Sequence, residues 1–153
     1  MRRAEYAKEL FESGYACSQA VALAFQDLTN VSKEDLAKLT LPLGGGLGRL
    51  RLTCGAISGM AIILGLVCAK DNNTSDEKLR VYELTRQLVE RFKAEHKTII
   101  CQELLENPNT AVEIGGKPDE RTKEYYKQRP CSLIVYNAAK VLEDYLVEIN
   151  IIK

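Results

Sequence analysis

The sequence has no tryptophan, a single histidine and no surplus of either charge, with 21 Lys and Arg against 21 Asp and Glu. A balanced chain without a basic run makes nucleic acid an unexpected partner. The longest apolar run, 54–69, is shorter than the roughly 20 residues that cross a bilayer, so no transmembrane segment is predicted. The opening stretch MRRAEYAKELFESG is charged and lacks the apolar core of a secretion signal, which predicts a cytoplasmic protein. No segment alternates polar and apolar residues over a strand length, and no internal repeat is visible.

The cysteines are informative by what they do not form. There are five, Cys17, Cys54, Cys68, Cys101 and Cys131, all far apart in sequence. Without a CxxC there is neither a thioredoxin-type pair nor a CxxC-based zinc or ferredoxin pattern. Without a CxxCH there is no covalent haem site. An odd number in a reducing compartment argues against a disulfide framework.

What is present is helical periodicity. The chain of 153 residues reads as one domain, 1–153, with an all-α fold. We expect a bundle of about five to seven helices around a central, glycine-containing apolar helix over 54–69. The other helices are predicted over 2–12, 17–28, 33–39, 75–97, 100–106 and 130–148. Ser32 and Ser75 are expected to cap two of them, and Pro130 to open the last. The long connection over 107–130 is expected to hold a helical turn or two at 122–128. Gly55 and Gly59, four apart, let a neighbouring helix approach the central one closely.

The chemistry concentrates in 43–65, LGGGLGRLRLTCGAISGMAIILG. Gly44, Gly45, Gly46 and Gly48, followed by Arg49, could form an anion- or cofactor-binding turn whose N–H groups point outward. The alternative is a tight connection that needs positive φ. Thr53 as a helix N-cap would put Cys54 in a first turn, near the positive end of the dipole and near Arg49 and Arg51. That setting favours a thiolate and predicts faster alkylation at Cys54 than at Cys68. The competing reading is a buried, inert cysteine. Cys17, Cys101 and Cys131 also fall at predicted helix starts, whereas Cys68 sits near a helix end. Fourteen residues of helix separate Cys54 from Cys68 by about 21 Å, so they cannot pair within one chain. The other three, on separate elements, are free to gather around Cys54.

The order Cys17 in GYACSQAV, GGGLGR, Cys54 in CGAISG, Cys101 in CQELL and Cys131 in PCSLIVYNAA resembles the C_GCAxxG_C_C family of redox-active proteins. The likeness spans about 14–146, and its specific part is the glycine loop with CGAxxG. The family label places glycine before cysteine in this core, and here cysteine comes first. The resemblance implies a small helical protein with four characteristic cysteines and a redox or electron-transfer role. Cys68 lies outside the pattern.

Three functions follow as expectations. The first is thiol–disulfide or electron-transfer chemistry centred on Cys54 with Cys17, Cys101 and Cys131, in a thiol-dependent oxidoreductase or electron-transfer protein with an unnamed redox partner. The second is a zinc or iron–sulfur site held by the same four cysteines. The third is a structural or interaction module with inert cysteines. His96, five residues before Cys101, is expected to be solvated at the end of a charged helix. The apolar tail of Val147, Ile149, Ile151 and Ile152 suggests a homodimer.

Overall fold

A computed structural model describes residues 2–106 and 112–153. The start of the predicted 107–130 connection therefore lies outside the described residues. Among those described there are eight α-helices, α1 (Arg3–Glu12), α2 (Cys17–Leu23), α3 (Lys33–Thr40), α4 (Gly55–Cys68), α5 (Ser75–His96), α6 (Cys101–Leu105), α7 (Lys123–Gln128) and α8 (Cys131–Glu148), and no strand. The fold is all-α, as the periodicity predicts.

The spacing of apolar residues accounts for the packing. Leu84, Leu88 and Phe92 recur every four residues on α5 and are buried, as are Ala138, Leu142 and Leu146 on α8. α4 supplies Ala56, Ile57, Met60, Ile63 and Leu64 to the core and packs against α2, α5 and α8. Fully burying an Ile or Met of this kind contributes about 1.5–3 kcal/mol. α4 is not buried all round, since Leu66 is exposed near its end. Gly59 explains how α2 comes so near: a Cβ there would stand 2.5 Å from the Ser18 carbonyl oxygen. No helix among the described residues is long and apolar enough to cross a membrane.

One helix end follows the sequence expectation and several others differ. Ser32 caps α3 by accepting from the Asp35 N–H. Thr74 rather than Ser75 caps α5, accepting from the Glu77 N–H at 3.1 Å. The second helix stops at Leu23, and Gln26–Leu28 form a separate 3₁₀ turn. Pro130 stands at the N-cap of α8, one residue outside the helix. The N-cap of α4 is Cys54 itself, with non-helical dihedrals (φ −51°, ψ 130°), so Thr53 does not cap this helix.

Thr53 instead pairs with Ile100 in an isolated antiparallel bridge. Around it the Cys54 N–H donates to the Ile99 carbonyl at 2.7 Å, and the Cys101 N–H to the Leu52 carbonyl at 2.6 Å. The chain entering α4 is thus tied by its backbone to the chain entering α6. The two cysteines at these entries are carried along with it.

Candidate functional site

Four cysteines stand at or beside helix starts, and their elements meet at one end of the bundle. Cys17 is the first residue of α2, Cys101 of α6 and Cys131 of α8, with Cys54 just before α4. Gly55 makes the meeting of α2 and α4 possible. A Cβ on it would lie 2.5 Å from Cys17 Sγ and 2.8 Å from the Leu43 carbonyl oxygen. Gly46 does the same for α6, where a Cβ would lie 2.7 Å from Cys101 Cβ. Glycine in the sequence motif is therefore a spacing device around sulfur.

The thiols are close enough to act on one another electrostatically, and Cys17 is coupled to each of the other three. A charge on Cys17 disfavours ionisation of both Cys54 and Cys131, and a charge on Cys101 disfavours that of Cys17. Burial is the larger effect throughout. It lifts the Cys17 thiol above its usual value, with Cys101 adding to the lift and the Gly45 and Ser18 N–H groups and Arg121 opposing it. Burial and then Cys17 raise Cys54 well above the ordinary range, against the pull of the Ala56 and Ile57 N–H groups. Cys131 is pushed up to about 12 by burial and the charges of Cys17 and Cys101.

This runs against the expectation of an activated thiolate at Cys54. A helix terminus is worth about 0.3–1 kcal/mol, under one pKa unit, whereas full burial shifts a group by up to about 3–5 units. Cys54 is only 5% exposed, so desolvation wins. Burial thus favours the protonated thiol at Cys17, Cys54 and Cys131.

The glycine loop is stranger than its composition suggests. Gly45, Gly46, Leu47, Gly48 and Arg49 all have positive φ, from 55° to 74°, and Arg51 joins them at 62°. Left-handed backbone costs a residue with a Cβ roughly 1–2 kcal/mol, so Leu47, Arg49 and Arg51 must be held there. The hold is internal. The N–H groups of Leu47, Gly48, Arg49, Arg51 and Leu52 donate to carbonyls of residues 42–46. The Arg49 carbonyl accepts from Gly115 at 2.8 Å and that of Arg51 from Gln102 at 3.1 Å. These N–H groups are therefore spent inside the loop, contrary to the outward-pointing turn expected from the sequence. Gly45 is the exception, its N–H acting on the Cys17 sulfur.

What the loop does present is arginine. Arg49 and Arg51 are 8% and 6% exposed. Arg51 Nε donates to the Glu113 carbonyl at 2.8 Å, and its Nη1 lies 3.8 Å from Cys101 Sγ. Arg49 Nη1 donates to the Lys117 carbonyl. Both reach a cavity of about 340 Å³ whose walls include Cys17, Cys101 and Cys131. Cys54 is not part of those walls and lies one layer further in, beside Cys17.

Arg121 and Arg129, which sequence reasoning did not single out, complete the cavity. Arg121 lies over the Phe11 ring at 4.4 Å from its centroid and donates to the carbonyls of Phe11 and Tyr15. Arg129 donates to Asp119 Oδ2 at 2.7 Å. They are 70 or more positions from Arg49 and Arg51, and nothing local in the sequence marks them.

Cys68 stands apart. It is the last residue of α4, half-buried, and its charge bears on Tyr145 rather than on the other cysteines. Since Cys131 couples to Cys54 at one end and Tyr145 to Cys68 at the other, α4 and α8 run parallel. His96 is also away from the site. It is not freely solvated, because its ring stacks on Phe92 and its Nε2 lies 2.8 Å from Asn137 Nδ2. Among the described residues, no three His, Cys, Asp or Glu side chains are drawn together as metal ligands.

Comparison with protein families finds one described as "Putative redox-active protein (C_GCAxxG_C_C)", whose model matches residues 15–145. No curated protein and no solved structure matches the chain.

Proposed function

The chain belongs to the C_GCAxxG_C_C family, and from that premise we propose that it is a dithiol–disulfide redox protein in which Cys17 is the pivot and Cys54 its buried partner. The observation that carries this reading is the position of Cys17. It lines the cavity together with Cys101 and Cys131, and its sulfur lies against Gly55, next to the buried Cys54.

In this reading a small disulfide enters the cavity. Cys17 gives up its proton and its sulfur attacks one sulfur of the substrate, expelling the first thiolate. Cys54 then loses its proton and attacks the Cys17 sulfur of the mixed disulfide, expelling the second thiolate. Two electrons pass from the Cys17–Cys54 pair to the substrate disulfide, which leaves as two thiols. A reductant of thiol class restores the pair. Gly45 and Ser18 N–H groups and Arg121 help the Cys17 thiolate to form when it is needed.

In this reading the burial of Cys17 and Cys54 favours electron donation. A strongly oxidising couple near −120 mV owes its potential to a stabilised thiolate, whereas the thioredoxin couple lies near about −270 mV. Here burial withholds that stabilisation, so the pair serves as an electron donor. The same reading places the protein in the cytoplasm, where thiols are kept reduced, as a single domain spanning 1–153.

The test uses a Cys68→Ser background, which removes the outlying thiol, and an aromatic disulfide reagent. The parent should release two equivalents of coloured thiol for each intramolecular disulfide formed. In Cys17→Ser the fast phase should fall by about a hundredfold or more. A Cys17→Ser variant that reacts like its parent would refute the assignment. Metal analysis of the same anaerobic preparation separates this account from zinc or cluster binding by the four cysteines. Stoichiometric metal that protects the thiols would favour the latter.

A further inference from the structure

The cavity beside the thiols has a charge imbalance that thiol exchange alone does not explain. Arg49, Arg51, Arg121 and Arg129 contribute to its walls, with Asp119 as the one carboxylate among the lining residues. Four positive charges against one negative leave a surplus of three. Arg121 is satisfied by carbonyls and ring faces, and Arg51 by a carbonyl and a sulfur, so neither is neutralised there by a carboxylate. Asp119 is committed to Arg129 at 2.7 Å. It lies 3.9 Å from Arg49 Nη2, which is too far for a hydrogen bond.

Arg49 is the telling member. Its side chain is 9% exposed, and Nη2 is buried with no hydrogen-bond partner. A buried guanidinium nitrogen left without an acceptor is costly. The cost is compounded by a backbone held at φ 62° to place it there. Guanidinium groups with free edges suit the two oxygens of a carboxylate or phosphate, which they bind through paired, charge-assisted hydrogen bonds.

We propose that this cavity is a binding site for a small oxyanion, a carboxylate or phosphate group, received by Arg49 Nη2 and completed by Arg129, with Arg51 and Arg121 supplying field. A volume near 340 Å³ takes a molecule of a few to about twenty heavy atoms. An anion seated there lies against Cys17, Cys101 and Cys131. The proposal concerns binding and stands whether or not the thiols exchange disulfides.

The test is calorimetric titration of fully reduced protein with inorganic phosphate, succinate and neutral succinamide. At least one anion should saturate with a millimolar or tighter Kd, and succinamide should not bind. The tighter of the two anions identifies the head group. Arg49→Gln should weaken binding at least tenfold, and Arg49→Lys should recover part of it. Should Arg49→Gln fail to fold, Arg129→Gln provides the second reading and should weaken binding by about three- to tenfold. The proposal is overturned by absence of saturable anion binding up to about 20 mM, by equal binding of succinamide, or by wild-type affinity in the arginine variants.

Discussion

The two ends of α4 carry one cysteine each, and they show how differently one helix can treat the same side chain. At the first end Cys54 is enclosed by three other helix entries, a left-handed loop and an arginine-lined cavity. At the second end Cys68 meets Tyr145 and Arg80 on a half-open surface, where Arg80 Nη2 donates to the Cys68 carbonyl at 2.7 Å. By rules of helix position alone Cys54 should be the acidic thiol and Cys68 the ordinary one. The structure reverses this, since enclosure raises the Cys54 thiol well above its usual range and burial raises Cys68 without any neighbouring thiol to add to it. Position on a helix tunes a thiol by less than a unit or so, and desolvation by several.

The largest contrast should come from glycine-to-alanine changes at the two ends. Gly55→Ala would drive a methyl into Cys17 Sγ and the Leu43 carbonyl, and should destabilise the protein by about 2–3 kcal/mol. Gly65→Ala meets nothing within 4 Å and should stabilise it by about 0.5–1 kcal/mol through reduced chain entropy. Urea denaturation of both variants reads the two signs. A neutral Gly55→Ala would mean that α2 and α4 are not in close contact at Cys17.

Thiol labelling comes next. With native protein at pH 8, Cys68 should react with iodoacetamide at least about tenfold faster than Cys54 or Cys131, as peptide-resolved mass spectrometry would show. Faster labelling at Cys54 would restore the activated thiolate inferred from its sequence context.

The pH dependence of stability is a smaller effect with a definite sign. Cys131 titrates near 9 when unfolded and about 12 when folded. The unfolded chain therefore binds fewer protons than the folded one between those values. Stability is fully present below about pH 9 and is lost above it by about 1.4 kcal/mol per pH unit for each such thiol. Cys54 adds to the slope, and Cys131→Ser should make the loss shallower by one thiol's share. A stability that is flat from pH 8 to 10 would contradict the enclosed cluster.

The smallest effect concerns association at the outer end, where Val147, Ile149 and Ile151 remain exposed. We propose that two copies meet there, away from the cavity. Light scattering at micromolar concentration should give a dimer mass that Ile151→Asp shifts toward monomer, with labelling of the cysteine cluster unchanged. A monomeric mass for the parent protein refutes it.

Much of the scaffold was legible because helical periodicity is local. Leu84, Leu88 and Phe92 declare their face within a few turns, and Ser32 announces its cap at the right residue. The helix ends that moved did so by tertiary competition. Thr53 was taken from the α4 cap by its bridge to Ile100. The expected place of four cysteines at helix starts matches Cys17, Cys101 and Cys131 as first residues of α2, α6 and α8, with Cys54 just before α4. Their protonation did not follow, because burial is set by α2, α6 and α8 rather than by the neighbours of Cys54 in sequence. Arg121 and Arg129 had no periodic or motif signal at all. They matter only once the chain has brought them beside Arg49.

The most direct measurement is a redox titration of the anaerobic protein against a thiol–disulfide buffer, with disulfides mapped by mass spectrometry at each poise. The account predicts one two-electron transition that forms an intrachain Cys17–Cys54 disulfide and leaves Cys68 reduced. Oxidation that appears first as a Cys68–Cys68 link between chains, with Cys17 and Cys54 still reduced, would contradict it.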